Sequence, residues 1–250
     1  MTALKNRTRS FTNSSYKNGT VLYWMSRDQR AYDNWALLYA QKKALEYKTS
    51  LGVVFCLAEK FMGATKRHYD FMFAGLRETE KELIKNNIDF NILFGDPPRT
   101  LDRYISKNSV GFLITDFDPL RIKRDWKAKV AEALNIPFCE VDAHNVIPCW
   151  VTSKKLEYGA RTIRAKIHKL LPGYCTHFSK LKKHPFSAKR KKSFIDWNSI
   201  SCRVKCDEYP DKVGWIRPGQ REANNTLKVF IRDALLEYQD KRNDPTKNGQ

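Results

Sequence analysis

The chain has 250 residues, 42% of them hydrophobic, enough to bury the core of one large domain or of one domain and part of a second. Its net charge of +19 points to a polyanionic partner, nucleic acid before a membrane surface, because the basic residues are not set opposite a strong apolar helix face. No run of about eighteen apolar residues is present, which argues against a membrane-spanning helix.

Residues 1–20 are polar, rich in Ser, Thr and Asn, and carry no apolar stretch; they read as a disordered tail and not as a secretory signal. From 21 to 145 short apolar runs alternate with segments of helical period. The runs VLYWM (21–25), LGVVFCL (51–57), DFNILFG (89–95), GFLITDF (111–117) and IPFCEVD (136–142) lack strict alternation, as strands buried on both faces do. Between them, Met72, Leu76, Thr79 and Leu83 share one helical face, and Ile122, Trp126, Val130 and Leu134 share another. Five strands alternating with four helices predict right-handed crossovers and a doubly wound α/β domain around a five-stranded parallel sheet.

The ligand cleft of such a sheet lies at the carboxyl ends of its strands. Ser26, Arg27 and Asp28 leave the first strand there, and Asp116 and Asp142 leave later ones. Arg27 and Asp28 are close enough in sequence to pair, and His144 beside Asp142 reads as a loop-capping histidine. No GxGxxG, Walker A or GxSxG motif supports a dinucleotide enzyme or an α/β-hydrolase. Cys56 and Cys139 fall inside apolar runs, and Cys202 and Cys206 have no partner pair at metal-binding spacing, so an intracellular, reducing compartment fits and zinc does not.

After 145 the alternation stops. Residues 146–220 read as a connector, with a helix over 158–171 ending before Pro172, and a flexible cationic linker, SKLKKHPFSAKRKKS, from Ser179. Residues 158–195 hold eleven Lys and Arg and no acid, which suits phosphate contact or nuclear import as well as a solvated linker. Residues 221–239 form the clearest amphipathic helix, with Leu227, Phe230, Ile231, Leu235 and Tyr238 on one stripe that needs a partner layer.

Four stretches resemble class II cyclobutane-pyrimidine-dimer photolyases: VLYWMSRDQRAYDNWALLYAQ from Val21, VVFCL with YDFMFAGL, TDFDPLRIKRDW from Thr115, and VDAHNVIPCWVTSKKLEYGARTIRAKI from Val141. IRPGQREA and EYQDKRNDPTKN extend the resemblance to residue 248. Gly159, Ala165 and Gln220 depart from the usual family pattern. The resemblance implies a photolyase α/β domain at 21–145 followed, at 221–250, by the first helix of a helical FAD domain. It further implies that the flavin phosphate loop and the catalytic half belong beyond this sequence, so that no catalytic residue lies in it.

In that family, FAD excited by light donates the electron that splits a flipped-out thymine dimer, and the protein positions flavin against lesion. The resemblance carries Tyr238 over as an FAD contact and Arg242 as a DNA contact. It also implies a deazaflavin- or folate-type antenna in the α/β cleft, with Trp24, Met25, Ser26, Arg27 and Asp116 as candidates. The expected partner is DNA containing pyrimidine dimers, bound by a protein monomeric at full length, in a prokaryotic cytoplasm or a eukaryotic nucleus. A cryptochrome-like photoreceptor, or a non-catalytic DNA- or antenna-binding remnant, would share these features.

Overall fold

Each of the five apolar runs forms a strand, because a run apolar on both sides is stable only when helices cover both faces. In the computed structural model, which describes residues 4, 6–187, 195–207, 210–211 and 213–247, they are β2 (Thr20–Met25), β3 (Leu51–Leu57), β4 (Asp89–Phe94), β5 (Val110–Asp116) and β6 (Phe138–Val141). They pair in parallel in the order β6-β5-β2-β3-β4. β3 and β5 are buried along their whole length. Four helices connect them: α1 (Trp35–Glu46), α2 (Lys66–Lys85), α3 (Pro97–Lys107) and α4 (Arg121–Ala133). Leu76, Thr79 and Leu83 of α2 turn inward as their spacing predicts. On α4 the buried face runs through Lys127 and Val130, and Ile122 stays exposed.

A sixth strand, β1 (Thr8–Ser10), adds to the free edge of β6 in antiparallel register. The disordered tail expected over 1–20 is therefore replaced, from residue 6 onward, by ordered structure. Arg7 is 1% exposed and donates to the carbonyls of Asp142, Asn145 and Val146; the Phe11 ring lies 4.7 Å from Phe138; Tyr16 stacks on Tyr47 at 3.8 Å. The edge of β6 supplies backbone groups that must find partners, and polar residues satisfy them as well as apolar ones do. Gly111 makes the close pass possible, since a Cβ there would stand 1.8 Å from the Lys17 carbonyl oxygen.

The connector begins with a single turn, α5 (Cys149–Thr152), and the helix α6 (Ala160–Tyr174), which runs through Pro172 and not only up to it. Part of the stretch read as a flexible linker is bolted to the α/β domain. Gln41 donates to the Lys182 carbonyl at 2.6 Å and accepts from its amide at 3.1 Å; Asn87 donates to the His184 carbonyl at 2.7 Å; Leu181 and His184 are buried. The basic run at 189–192 lies outside the described residues.

Beyond it come α7 (Trp197–Arg203) and α8 (Gln220–Asp233). The single helix expected over 221–239 lapses at Ala234 (φ −126°), gives way to a 3-10 turn (Leu235–Glu237), and resumes as α9 (Tyr238–Lys241). The Phe230 and Tyr238 rings meet edge to face across the break at 5.6 Å.

Candidate functional site

From β2 the chain winds to β3 and β4 on one side and returns to β5 on the other, so the crevice between the carboxyl ends of β2 and β5 is the switch point of the sheet. Asp116 ends β5 there, fully buried, and its carboxylate gathers four donors. These are the Tyr23 hydroxyl at 2.9 Å and the backbone amides of Ser26, Arg27 and Asp28 at 3.0, 3.1 and 3.0 Å. Burial foremost, then the charge of Asp28, raises the Asp116 pKa above the ordinary carboxylate value against the pull of those amides. Burial likewise pushes the Tyr23 phenol well above its usual value.

The loop after β2 is knitted by its own residues. Asn34 caps α1 by accepting from the Ala36 and Leu37 amides at 3.0 and 3.1 Å. Its amide group donates to the Tyr23 hydroxyl and to the carbonyls of Asp28 and Arg30. Asp28 does not pair with Arg27, as neighbouring charges in the sequence suggest; it takes Arg30 at 2.6 Å. The Asp116 clamp holds the backbone of residues 26–28, and the turn that follows swings Arg30 back onto Asp28. His144 stands 3.7 Å from the same Asp28 oxygen. The capping of the 142–149 loop falls to Asp142, which accepts from the Asn145 and Cys149 amides at 3.0 and 2.9 Å.

Two lysines that sequence reasoning passed over complete the crevice. Lys123 donates to the Ser26 hydroxyl at 3.1 Å and lies 4.9 and 4.8 Å from the Phe61 and Trp126 rings, and desolvation lowers its pKa. Lys127 forms a buried ion pair with Glu140 at 2.8 Å, and Arg9 reaches the same carboxylate. Their signal was a cation at i and i+4 on the inward face of α4, in register with Val130. The space among Trp24, Ser26, Asp116, Asp118 and the two lysines leaves no room even for a water molecule.

Of the antenna candidates, Trp24, Met25 and Asp116 are buried within the sheet, the Ser26 hydroxyl is engaged by Lys123, and Arg27 is half-buried at the rim. An open groove of about 340 Å³ lies beside the crevice, between the loop after β2, α2 and the start of α8, lined by Gln29, Arg30, Phe71, Met72, Gln220 and Asn224. A larger cavity of about 1090 Å³ lies at the opposite, amino-terminal edge of the strands, away from the switch point.

The remaining candidates lie at the far end of the chain. Tyr238 is 37% exposed and Leu236 94% exposed, so the residues present form an open surface there and no concave pocket that would enclose a flavin. Arg242 follows α9, with its guanidinium 5.8 Å from the centre of the Tyr238 ring. Among the described residues no group of His, Cys, Asp and Glu is placed to hold a metal ion, and no helix is long and apolar enough to cross a membrane.

The family described as DNA photolyase matches residues 21–187. A deoxyribodipyrimidine photo-lyase of Potorous tridactylus is 44% identical over 91% of this chain and 43% of its own length. One of Arabidopsis thaliana is 38% identical over 92% of this chain and 48% of its own length. The chain spans about half the length of the curated relatives it matches. Among solved structures, a Synechocystis cryptochrome superposes with a TM-score of 0.68 at 15% identity, over 90% of this chain and 49% of that one. An archaeal photolyase of Sulfolobus tokodaii, determined with two FAD molecules, gives 0.66 at 18% identity, over 92% and 50%. At such identities these two show the fold alone.

Proposed function

Because the chain belongs to the DNA photolyase family, we propose that it forms the amino-terminal part of a class II deoxyribodipyrimidine photo-lyase that repairs cyclobutane pyrimidine dimers in DNA with light. The observation that carries this reading is similarity to proteins of that name along 91–92% of the chain, at identities up to 44%. The class II assignment rests on the run from Trp24 to Leu37. Its residues are spent on folding one loop: Asp28 on Arg30, Asn34 on the α1 cap and on Tyr23, and three backbone amides on Asp116.

Within such a protein, FAD excited by light supplies the electron that splits the dimer. The residues of this chain fit a supporting role. Arg27 at the crevice rim, and Ser26 once Lys123 releases it, are the antenna candidates that a deazaflavin- or folate-type ring would meet, with Trp24, Met25 and Asp116 as the rigid wall behind them. Tyr238 and the apolar side chains beside it form one wall of a flavin site whose other walls come from the part of the relatives beyond the matched span. Arg242 contacts DNA.

The test compares the 250-residue protein with a fusion to the remaining carboxy-terminal portion of the Potorous tridactylus protein. Each is supplied with FAD and illuminated with dimer-containing DNA. The fusion is expected to bind flavin stoichiometrically and to repair dimers, and the shorter protein to do neither. A folded, flavin-bound fusion without repair would remove the photolyase reading, and repair by the 250-residue protein alone would overturn this division of roles.

A further inference from the structure

From residue 21 to 142 bases and acids nearly balance, 19 Lys and Arg against 17 Asp and Glu, and some pair directly: Lys43 with Glu46, Lys66 with Asp70, Lys85 with Glu82. The connector is different. From residue 143 to 187 the only acid is Glu157, and Lys166 occupies it, with the carboxyl held down at about 2 chiefly by that hydrogen bond. Lys154, Lys155, Arg161, Arg164, Lys169 and Lys180 are all exposed, and among the described residues no acid pairs with them.

The placement of these charges is ordered. On α6 the partly buried positions are 163, 166, 167, 170, 171 and 174, and Arg161, Arg164, His168 and Lys169 occupy the opposite, exposed face. The helix is held at the carboxyl edge of the sheet, where Tyr174 packs 5.5 Å from the Arg7 guanidinium that fastens the loop after β6. The face is therefore presented by a fixed element and not by a loose tail.

We propose that this face of α6, with Lys154 and Lys155 leading into it, docks the phosphate backbone of duplex DNA without regard to a lesion. The inference rests on reading DNA as the substrate, but it needs neither flavin nor dimer. From Arg161 to Lys169 the helix advances about 12 Å, over which one strand of B-DNA presents three or four phosphates at a rise of about 3.4 Å each. Guanidinium groups match phosphate oxygens in pairs. A protein partner would want an apolar or aromatic anchor at the centre of the patch; the uncharged positions of the exposed helix face are Ala160, Thr162, Ala165, Pro172 and Gly173, and the exposed Leu156 and Tyr158 stand before the helix, at the margin of its charged face. Contacts of this kind hold a repair protein on undamaged duplex while it searches.

The experiment measures binding of the 250-residue protein to an undamaged duplex between about 50 and 200 mM salt. The wild type is compared with a triple variant, Arg161→Gln, Arg164→Gln and Lys169→Gln, and with a second variant neutralised at residues 189–192. The three α6 side chains are exposed, so the fold should tolerate their loss, and circular dichroism checks that it does. The triple variant is expected to flatten the slope of log K against log salt by up to about 2.7, about 0.9 for each phosphate left unneutralised. The second variant should keep that share of the slope. A triple variant with the wild-type slope would place the contact elsewhere and leave the DNA reading standing. A wild type that binds no duplex at low salt would overturn both, and displacement by polyglutamate as readily as by unlabelled duplex would overturn the assignment to nucleic acid.

Discussion

Replacing Asp116 with alanine tests whether the switch-point loop is held by one carboxylate. The substitution removes the acceptor for three backbone amides and the Tyr23 hydroxyl, all in the buried end of β5 and the loop beside it. A buried donor left unpaired costs about 1–3 kcal/mol. Against that, deletion relieves the desolvation of a fully buried carboxylate and its repulsion by Asp28, the two causes that raise its pKa, and water can enter the vacated space to serve some of the amides. The balance is a loss of about 2–4 kcal/mol, which at a slope of about 3 kcal/mol per molar urea moves the unfolding midpoint down by about 1 M. The pH dependence has a definite sign. A folded-state pKa above the unfolded value near 3.9 means that the carboxyl's contribution is full below about pH 3.9 and falls as pH rises through the folded value. The gap between wild type and Asp116→Ala should therefore narrow as pH is raised from about 4. A midpoint shift under about 0.3 M, or a gap that widens with pH, would refute the clamp as described.

Two further outcomes follow from contacts at the domain edges. The His184 ring bonds the Thr49 carbonyl through Nε2 at 2.8 Å, its Nδ1 is buried without a partner among the described residues, and burial lowers its pKa. The neutral ring is therefore the folded form, and its contribution is complete above about pH 6.5 and lost as pH falls toward the lowered folded value. Hydrogen exchange at the His184 amide, which donates to the Asn86 carbonyl at 2.8 Å, should accelerate in acid beyond the change in global stability; exchange that tracks global stability at every pH would count against the latch. At the start of α8, Glu78 accepts the Arg221 amide at 2.9 Å, and Gly219 has φ +102° with space for a Cβ only 2.1 Å from the Glu78 carboxylate. Gly219→Ala should loosen this junction by about 1–2 kcal/mol, through both the backbone strain and the displaced carboxylate, and limited proteolysis should cut before α8 faster than in the wild type; unchanged cleavage would show that the junction does not depend on this glycine.

The parallel sheet was legible because its strands are apolar on both sides, a pattern with few other stable outcomes. β1 was not, since three residues, Thr8 to Ser10, carry no period, and what orders them is the open edge of β6, a property of the assembled sheet and not of the segment. The docking of residues 181–187 escaped for the same reason. Their charges announce solvent, while the bonds that hold them come from Gln41 and Asn87, more than ninety positions away in the chain. Helical period located α8 but not its lapse at Ala234, where the sequence has neither glycine nor proline to mark a stop.

At the site, position along the strand correctly brought Ser26, Arg27, Asp28 and Asp116 together, but residue type suggested the wrong division of labour. Charged residues at a strand end invite a ligand, yet Asp116 is consumed by backbone amides and Asp28 by Arg30. Lys123 and Lys127 went unnoticed because lysines on a helix are ordinarily solvent-facing, whereas these two stand on its inward side and close the crevice. A run that carries a family resemblance can thus be occupied with folding. Residues 24–37 fix the shape of one loop, and that shape leaves Arg27 half-buried at the rim of the crevice.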